Sequence, residues 1–172
     1  FPFVRVVDGF RTFTCFFFSI AAEVDPMSSF FIYWSTHLHQ AILNIVTMEK
    51  PVVACVKGAV AGFGLSLMLA CDMVLASDNA VLSVAYCKIG TTPDGGMTYF
   101  LPRAVGQKRA MELMLTGQRF SAEEAERWGM INQIVAIDSL EEEVEKLANT
   151  LCNGPTDVLA RTKRMLNETY DL

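Results

Sequence analysis

The chain has 172 residues, of which 52% are hydrophobic, and a formal net charge of −5. This length and apolar content suit one domain with a sizeable buried core, and the negative charge disfavours nucleic acid as a partner. The longest uncharged apolar runs, such as residues 59–71, are interrupted by glycine and are shorter than the ~20 residues of a membrane-spanning helix. No membrane span is expected.

The cysteines and the first residues bear on the cellular compartment. The chain has 5 cysteines with no Cys-x-x-Cys motif, which predicts reduced thiols in the cytoplasm, or in a mitochondrion or peroxisome in a eukaryote. The opening "FPFVRVVDGF" lacks the basic and apolar regions of a signal peptide, so none is expected. This opening is interpreted as a strand that begins within a fold.

The first half of the chain predicts strands between covering helices. "VRVVD" (residues 4–8) has the pattern of a buried strand, whereas "FTCFFFSIAAEV" fits neither strand nor helix. From Met27, with Ser28 or Ser29 as cap, apolar residues recur at helical spacing and predict a long amphipathic helix ending before Pro51. The runs "VVACV", "DMVLAS" and "AVLSVAY" each predict a strand that is buried on both faces.

The second half is predominantly helical. After Gly95 and Gly96, the segments "GMTYFLPRAVG", "QKRAMELMLTG" and "SAEEAERWGM" predict helices, followed by a strand "INQIVA" and two charged helices. "SAEE", which begins at Ser121, is a capping box. Because no repeat, linker or low-complexity segment divides the chain, residues 1–172 are expected to form a single α/β domain.

A glycine-rich loop stands between two apolar runs. A strand is expected to end at Lys57 and Gly58, the loop "AVAGFG" follows, and a helix is expected through "LSLMLAC". The positive end of that helix and its first N–H groups would form a site for an oxyanion, and Gly62 and Gly64 would let a carbonyl group approach closely. A tight strand-to-helix turn with glycines for packing explains the same spacing, and the two interpretations weigh about equally.

Several motifs in one order resemble the crotonase superfamily, the enoyl-CoA hydratases and isomerases. They are the glycine loop, "ACD", "ASD", "IGTTPDGG", "LPRAVG", "LTG" and "SAEEAERWGMIN", and the resemblance covers roughly residues 4–167. It implies a spiral of ββα units with covering helices, assembly as a homotrimer or hexamer, and an acyl-CoA thioester as substrate. It implies no permanently bound cofactor and no metal; coenzyme A enters as part of the substrate.

The resemblance also implies an oxyanion hole made of two backbone N–H groups. One of them falls on Phe63, flanked by Gly62 and Gly64. The other normally follows the strand that corresponds to residues 4–8, where this chain has "FTCFFFSI". Either Cys15 and Phe16 form an unusual oxyanion wall, or residues are missing there. The second alternative is favoured, because the family's usual first strands and C-terminal trimerisation helices are also not apparent.

The catalytic carboxylates of the family are only partly represented. Hydratases of this family use two glutamates, whose positions correspond here to Ser66 and Tyr86. Neither side chain is a carboxylate base, so water addition by two glutamates is not expected unless the register is misassigned. Asp94 in "TTPDGG" matches the single acidic residue with which the family's isomerases move a proton along the acyl chain. Pro-Asp-Gly is also ordinary turn chemistry.

Three hypotheses follow. The leading one is an enoyl-CoA isomerase with Asp94 as acid and base. In it, Tyr86 either forms a hydrogen bond to the substrate or the catalytic carboxylate, or is a core residue whose hydroxyl group is satisfied elsewhere. The second is another enzyme of the superfamily, such as a hydratase, hydrolase or lyase. The third is a catalytically silent acyl-CoA-binding homologue, favoured if the phenylalanine-rich segment replaces the first oxyanion donor.

Overall fold

The structure, a computed structural model, describes the backbone of residues 27–169 and the side chains of residues 36–169. Within this range the strands are β1 (Val53–Val56), β2 (Ala59–Ala61), β3 (Met73–Ser77), β4 (Val81–Ser83), β5 (Arg119–Ser121) and β6 (Gln133–Val135). The helices are α1 (Met27–Thr47), α2 (Phe63–Ala70), α3 (Met97–Val105), α4 (Gln107–Thr116), α5 (Ala122–Arg127), α6 (Leu140–Cys152) and α7 (Thr156–Glu168). Two short 3-10 helices span Tyr86–Ile89 and Ile137–Ser139.

Two successive ββα units form the centre of the described part. β1, β2 and α2 form the first unit, and β3, β4 and α3 form the second. β3 pairs in parallel with β1, and β4 pairs in parallel with β2, so each unit adds one strand to each of two sheets. The sheet orders are β1-β3-β6 and β2-β4-β5, and only the β4–β5 pair is antiparallel among these pairs. The successive ββα units therefore stack as turns of a spiral.

β1 is buried on both faces, which explains its uniformly apolar sequence. All four residues of β1 are buried. Ala54 and Val56 face the larger core with α2, α3 and α4, whereas Val53 and Cys55 face a smaller core closed by α6. Since successive side chains of a strand point to opposite faces, both sets of positions must be apolar.

A buried lysine joins the last helix to the beginning of the first strand. The Lys163 Nζ donates hydrogen bonds to the Ile45 carbonyl (2.7 Å), the Lys50 carbonyl (3.0 Å) and Asp72 Oδ2 (2.7 Å). Asp72 Oδ2 also accepts from the Val52 N–H at 2.7 Å. The cation therefore satisfies a carbonyl at the C-terminal end of α1 and fixes the segment that enters β1.

Most of the predicted elements are confirmed. The long helix, the strands in "VVACV", "DMVLAS" and "INQIVA", and the two charged C-terminal helices are present. The capping box is present as well, with the Glu124 N–H donating to Ser121 Oγ and the Ser121 N–H to the Glu124 carboxylate. The expected strand at residues 4–8 and the phenylalanine-rich segment lie outside the described residues.

Two details differ from the sequence-based expectation. The predicted strand "AVLSVAY" is a strand only at Val81–Ser83, and Val81 is 43% exposed, so it is not buried on both faces. The chain leaves the sheet there because Ala85 has a left-handed backbone and Tyr86 begins a 3-10 helix. The segments "AVA" and "RFS", not expected as strands, are β2 and β5, each only 3 residues long. Strands this short depend on pairing with β4 rather than on a periodic pattern.

Candidate active site

The parallel pairing of β2 with β4 brings two distant parts of the sequence together. Ala61 is opposite Ser83 in this pair, and the Gly62 N–H donates to the Ser83 carbonyl at 3.2 Å. Both strands therefore end at the same edge, where Gly62 leads into α2 and Tyr86 follows shortly after β4. A Cβ added at Gly62 would be 3.9 Å from the Tyr86 Cζ.

Gly62 makes the turn from β2 into α2. Its φ of 55° and ψ of −125° are open to glycine and strongly disfavoured for residues with a Cβ. Its carbonyl accepts from the N–H groups of Leu65 (3.0 Å) and Ser66 (3.2 Å), which begins the helix. Phe63 is the first residue of α2. Its N–H group therefore lies at the positive end of the helix.

The loop that carries Asp94 lies directly against the first turn of α2. Gly95 has a φ of +57°, as expected for the turn, and an added Cβ would be 2.8 Å from Ser66 Cβ and 2.9 Å from Phe63 Cδ2. Real Cβ atoms do not approach this closely without a shift of the neighbouring atoms. Glycine at this position is therefore what allows Asp94 to lie beside the glycine loop.

Three polar side chains meet at this point. The Tyr86 hydroxyl donates a hydrogen bond to Asp94 Oδ1. The Ser66 hydroxyl donates to the backbone carbonyl of Asp94 at 3.0 Å and lies 3.2 Å from the Tyr86 hydroxyl. Tyr86 and Ser66 thus both hold Asp94, the first through its carboxylate and the second through its main chain.

Burial differs sharply between these three residues. Ser66 and Tyr86 are 0% and 6% exposed, whereas Asp94 is exposed. Burial, together with the hydrogen bond to Asp94, raises the pKa of Tyr86 well above its usual range, while the hydrogen bond from Ser66 acts in the opposite direction. Tyr86 therefore remains a neutral hydroxyl donor, and the Asp94 side chain that it contacts is exposed to solvent.

The predicted site residues fall into three groups. The structure brings together Gly62, Phe63, Ser66, Tyr86 and Asp94, and it places Gly64 next to them in the first turn of α2, where an added Cβ would contact Val60 Cγ1 at 3.8 Å. Cys15 and Phe16 lie outside the described residues. Sequence reasoning missed the close approach of Gly95 to α2, for which the sequence offers no more than a glycine after an aspartate.

Basic side chains near these elements are engaged locally. The Arg103 guanidinium lies 3.5 Å from the centroid of the Tyr99 ring, and Arg109 pairs with Glu112 at 2.6 Å.

Within residues 27–169, no cluster of three or more His, Cys, Asp or Glu side chains is arranged to hold a metal ion. In the same part of the chain, no helix has the length and apolar character needed to cross a membrane.

Comparison with known proteins identifies the family. A sequence profile described as enoyl-CoA hydratase/isomerase matches residues 25–172. The chain belongs to the enoyl-CoA hydratase/isomerase family. It is 40% identical over 126 residues to a 1,2-epoxyphenylacetyl-CoA isomerase of Escherichia coli, covering 73% of this chain and 48% of that protein. It is 32% identical over 142 residues to a 4-chlorobenzoyl coenzyme A dehalogenase of Arthrobacter, covering 83% and 51%.

The three-dimensional fold is that of the same family. A crystal structure of a probable enoyl-CoA hydratase/isomerase from Mycobacterium abscessus superimposes with a TM-score of 0.80 at 35% identity, covering 86% of this chain and 56% of that chain. The crotonase-like α/β fold expected from the motifs is thus confirmed. The chain spans about half the length of the curated relatives it matches.

Proposed function

We propose that the protein is an enoyl-CoA double-bond isomerase in which Asp94 is the acid and base. The observation that carries this proposal is the place of Asp94: an exposed carboxylate, held by Tyr86 and Ser66, beside the first turn of the helix that follows the glycine loop. The two positions that hold glutamates in the family's hydratases are occupied by hydroxyl groups, which leaves Asp94 as the carboxylate of this cluster.

The reaction moves one proton between two carbon atoms. Asp94 removes a proton from the carbon next to the thioester carbonyl of a 3-enoyl-CoA; the C–H bond breaks, an O–H bond forms on Asp94, and the electron pair passes into the enolate. Asp94 then returns the proton two carbons further along, which leaves the double bond next to the carbonyl. A positioned carboxylate typically contributes ~10²–10⁴-fold to such a step.

The enolate oxygen requires hydrogen-bond donors. In this proposal the Phe63 N–H is one of them, with Gly62 and Gly64 keeping side chains away from the thioester. One such donor is typically worth ~3 kcal/mol of transition-state stabilisation. The α2 N-terminus adds the positive end of its dipole at the same place.

The substrate is proposed to be an acyl-CoA thioester, and the whole protein a homotrimer or hexamer. The names of the relatives support the first statement, because the isomerase and the dehalogenase are both named for coenzyme A thioesters. A second candidate is water addition, since a relative from Dictyostelium discoideum, 35% identical over 129 residues, is named a probable mitochondrial enoyl-CoA hydratase. In that case water would have to be activated without the two glutamates.

The decisive experiment compares the protein with its Asp94→Asn variant. Asparagine keeps the size and turn preference of aspartate but cannot accept a proton. We expect the parent protein to shift the double bond of a 3-enoyl-CoA and to exchange the substrate's alpha hydrogen in heavy water, and we expect Asp94→Asn to lose both activities by ~10²-fold or more.

The outcomes separate the candidate functions. Hydration of a 2-enoyl-CoA without double-bond migration would identify a hydratase. Binding of acyl-CoA without either reaction would identify a silent homologue. If Asp94→Asn exchanges the hydrogen as fast as the parent, Asp94 is only a turn residue and the isomerase proposal is refuted.

A further inference from the structure

A strained turn positions Tyr86 in the candidate active site. The Tyr86 N–H donates to the Val84 carbonyl at 2.9 Å, which closes a three-residue turn around Ala85. Ala85 has a φ of 62°, and it is the only non-glycine residue with a positive φ in the described part of the chain. Such a conformation costs ~1–2 kcal/mol and is typical of functional sites. The turn directs the Tyr86 side chain under Asp94 instead of extending β4.

The hydrogen atoms of this cluster can be assigned by counting. An ionised carboxylate only accepts, so the single hydroxyl hydrogen of Tyr86 lies on the bond to Asp94 Oδ1. The single hydrogen of Ser66 then has two acceptors, the Asp94 carbonyl at 3.0 Å and the Tyr86 oxygen at 3.2 Å. Both hydroxyl groups are therefore used to hold Asp94, one through its carboxylate and one through its backbone.

We propose that Tyr86 is a positioning residue for Asp94: its hydroxyl fixes one carboxylate oxygen, Oδ1, and leaves Oδ2 to exchange a proton with the substrate. Ser66 supports this arrangement by holding the main chain of the same residue. The inference rests on the function proposed above, in which Asp94 is the base. It adds that the hydroxyl groups at the two glutamate positions serve the aspartate rather than a water molecule.

The Tyr86 hydroxyl bonds a charged group. Hydrogen bonds to an ionised carboxylate are stronger than those between neutral groups, so loss of the hydroxyl should leave Asp94 Oδ1 less firmly held and lower the rate of proton transfer. Of the two side chains that form hydrogen bonds with the Tyr86 hydroxyl, Asp94 is charged and Ser66 is neutral. Because burial raises the pKa of Tyr86, the donor persists over the working range of the enzyme.

The test is Tyr86→Phe, which keeps the buried ring and removes only the hydroxyl. Loss of a hydrogen bond to a charged group typically changes an equilibrium or rate constant by about 10- to 100-fold. We expect kcat for isomerisation to fall by about that factor with KM nearly unchanged. Tyr99→Phe is the matched control, since Tyr99 contacts Arg103 through its ring face, which phenylalanine retains.

A second measurement follows proton abstraction alone. Exchange of the substrate's alpha hydrogen in heavy water should slow by the same factor in Tyr86→Phe and should not change in Tyr99→Phe. Ser66→Ala should lower kcat less than Tyr86→Phe, because Ser66 bonds the main chain of Asp94.

The failure of this inference differs from the failure of the proposed function. If Asp94→Asn is inactive but Tyr86→Phe keeps its kcat and its rate of hydrogen exchange, Asp94 is the base and Tyr86 is only a core residue. If Tyr86→Phe raises KM while kcat is unchanged, the hydroxyl does not act on proton transfer and the positioning role is refuted. If Asp94→Asn remains active, both proposals fall.

Discussion

Gly95 is the residue whose substitution tests most directly how the site is held together. Replacing it by alanine places a Cβ 2.8 Å from Ser66 Cβ and 2.9 Å from two atoms of the Phe63 ring, on a backbone with a φ of +57°. Gly90 offers a matched control, because its φ is +70° and an added Cβ meets nothing within 4 Å. Both substitutions strain the backbone, and only Gly95→Ala also forces atoms together inside the site.

The difference between the two variants can be worked out from these contacts. A left-handed alanine costs ~1–2 kcal/mol, of which ~0.4–1 kcal/mol is recovered because alanine restricts the unfolded chain. Gly90→Ala should therefore lower the free energy of unfolding by about 1 kcal/mol. Overpacking adds ~1–3 kcal/mol, so Gly95→Ala should lower the free energy of unfolding by about 2–4 kcal/mol.

Urea unfolding of both variants measures this difference, and hydrogen exchange of the acyl-CoA substrate in heavy water measures its effect on the site. We expect Gly95→Ala to lose exchange activity, because the added methyl group pushes the Asp94 loop away from α2. Gly90→Ala should keep it. Equal destabilisation and equal activity in the two variants would refute the close approach of the loop to Ser66 and Phe63.

Two further predictions concern stability and assembly. Lys163→Met should lower the free energy of unfolding by about 3 kcal/mol, because it leaves Asp72 and two carbonyl groups without their buried cation. Arg164→Met, at a side chain that is 59% exposed, should lower it by less than about 0.5 kcal/mol in the same urea titration. Similar losses in the two variants would contradict the role of Lys163. The protein is expected to sediment as a trimer or hexamer at micromolar concentration, in keeping with the exposed Val158, Met165 and Leu166 on α7; a stable monomer would contradict this expectation.

Local patterns predicted the elements that carry their own signal. The helix Met27–Thr47 and the capping box at Ser121 were predictable because helical spacing and cap residues are encoded within a few neighbouring positions. The strands β2 and β5 were missed because each has only 3 residues and is stabilised by pairing with β4. The end of β4 was misjudged because the apolar run continues through Ala85, whose backbone conformation the sequence does not reveal.

For the site, the motif order led to the glycine loop, Ser66, Tyr86 and Asp94 as separate candidates. Their contact could not be read from the sequence, because Ser66 and Tyr86 are 20 residues apart, and Ser66 and Asp94 are 28 apart. It arises from the parallel pairing of β2 with β4 and from the close approach that Gly95 permits.

The sequence by itself determined the family, the apolar strands and the identity of the one acidic residue in the Pro-Asp-Gly-Gly turn. Only the tertiary structure decided that the hydroxyl groups of Ser66 and Tyr86 bond that residue, with Tyr86 buried and Asp94 exposed. The physical reason is that side-chain type is a local property, whereas a hydrogen bond depends on distances and burial that the packing of α2, β4 and the Asp94 loop sets together.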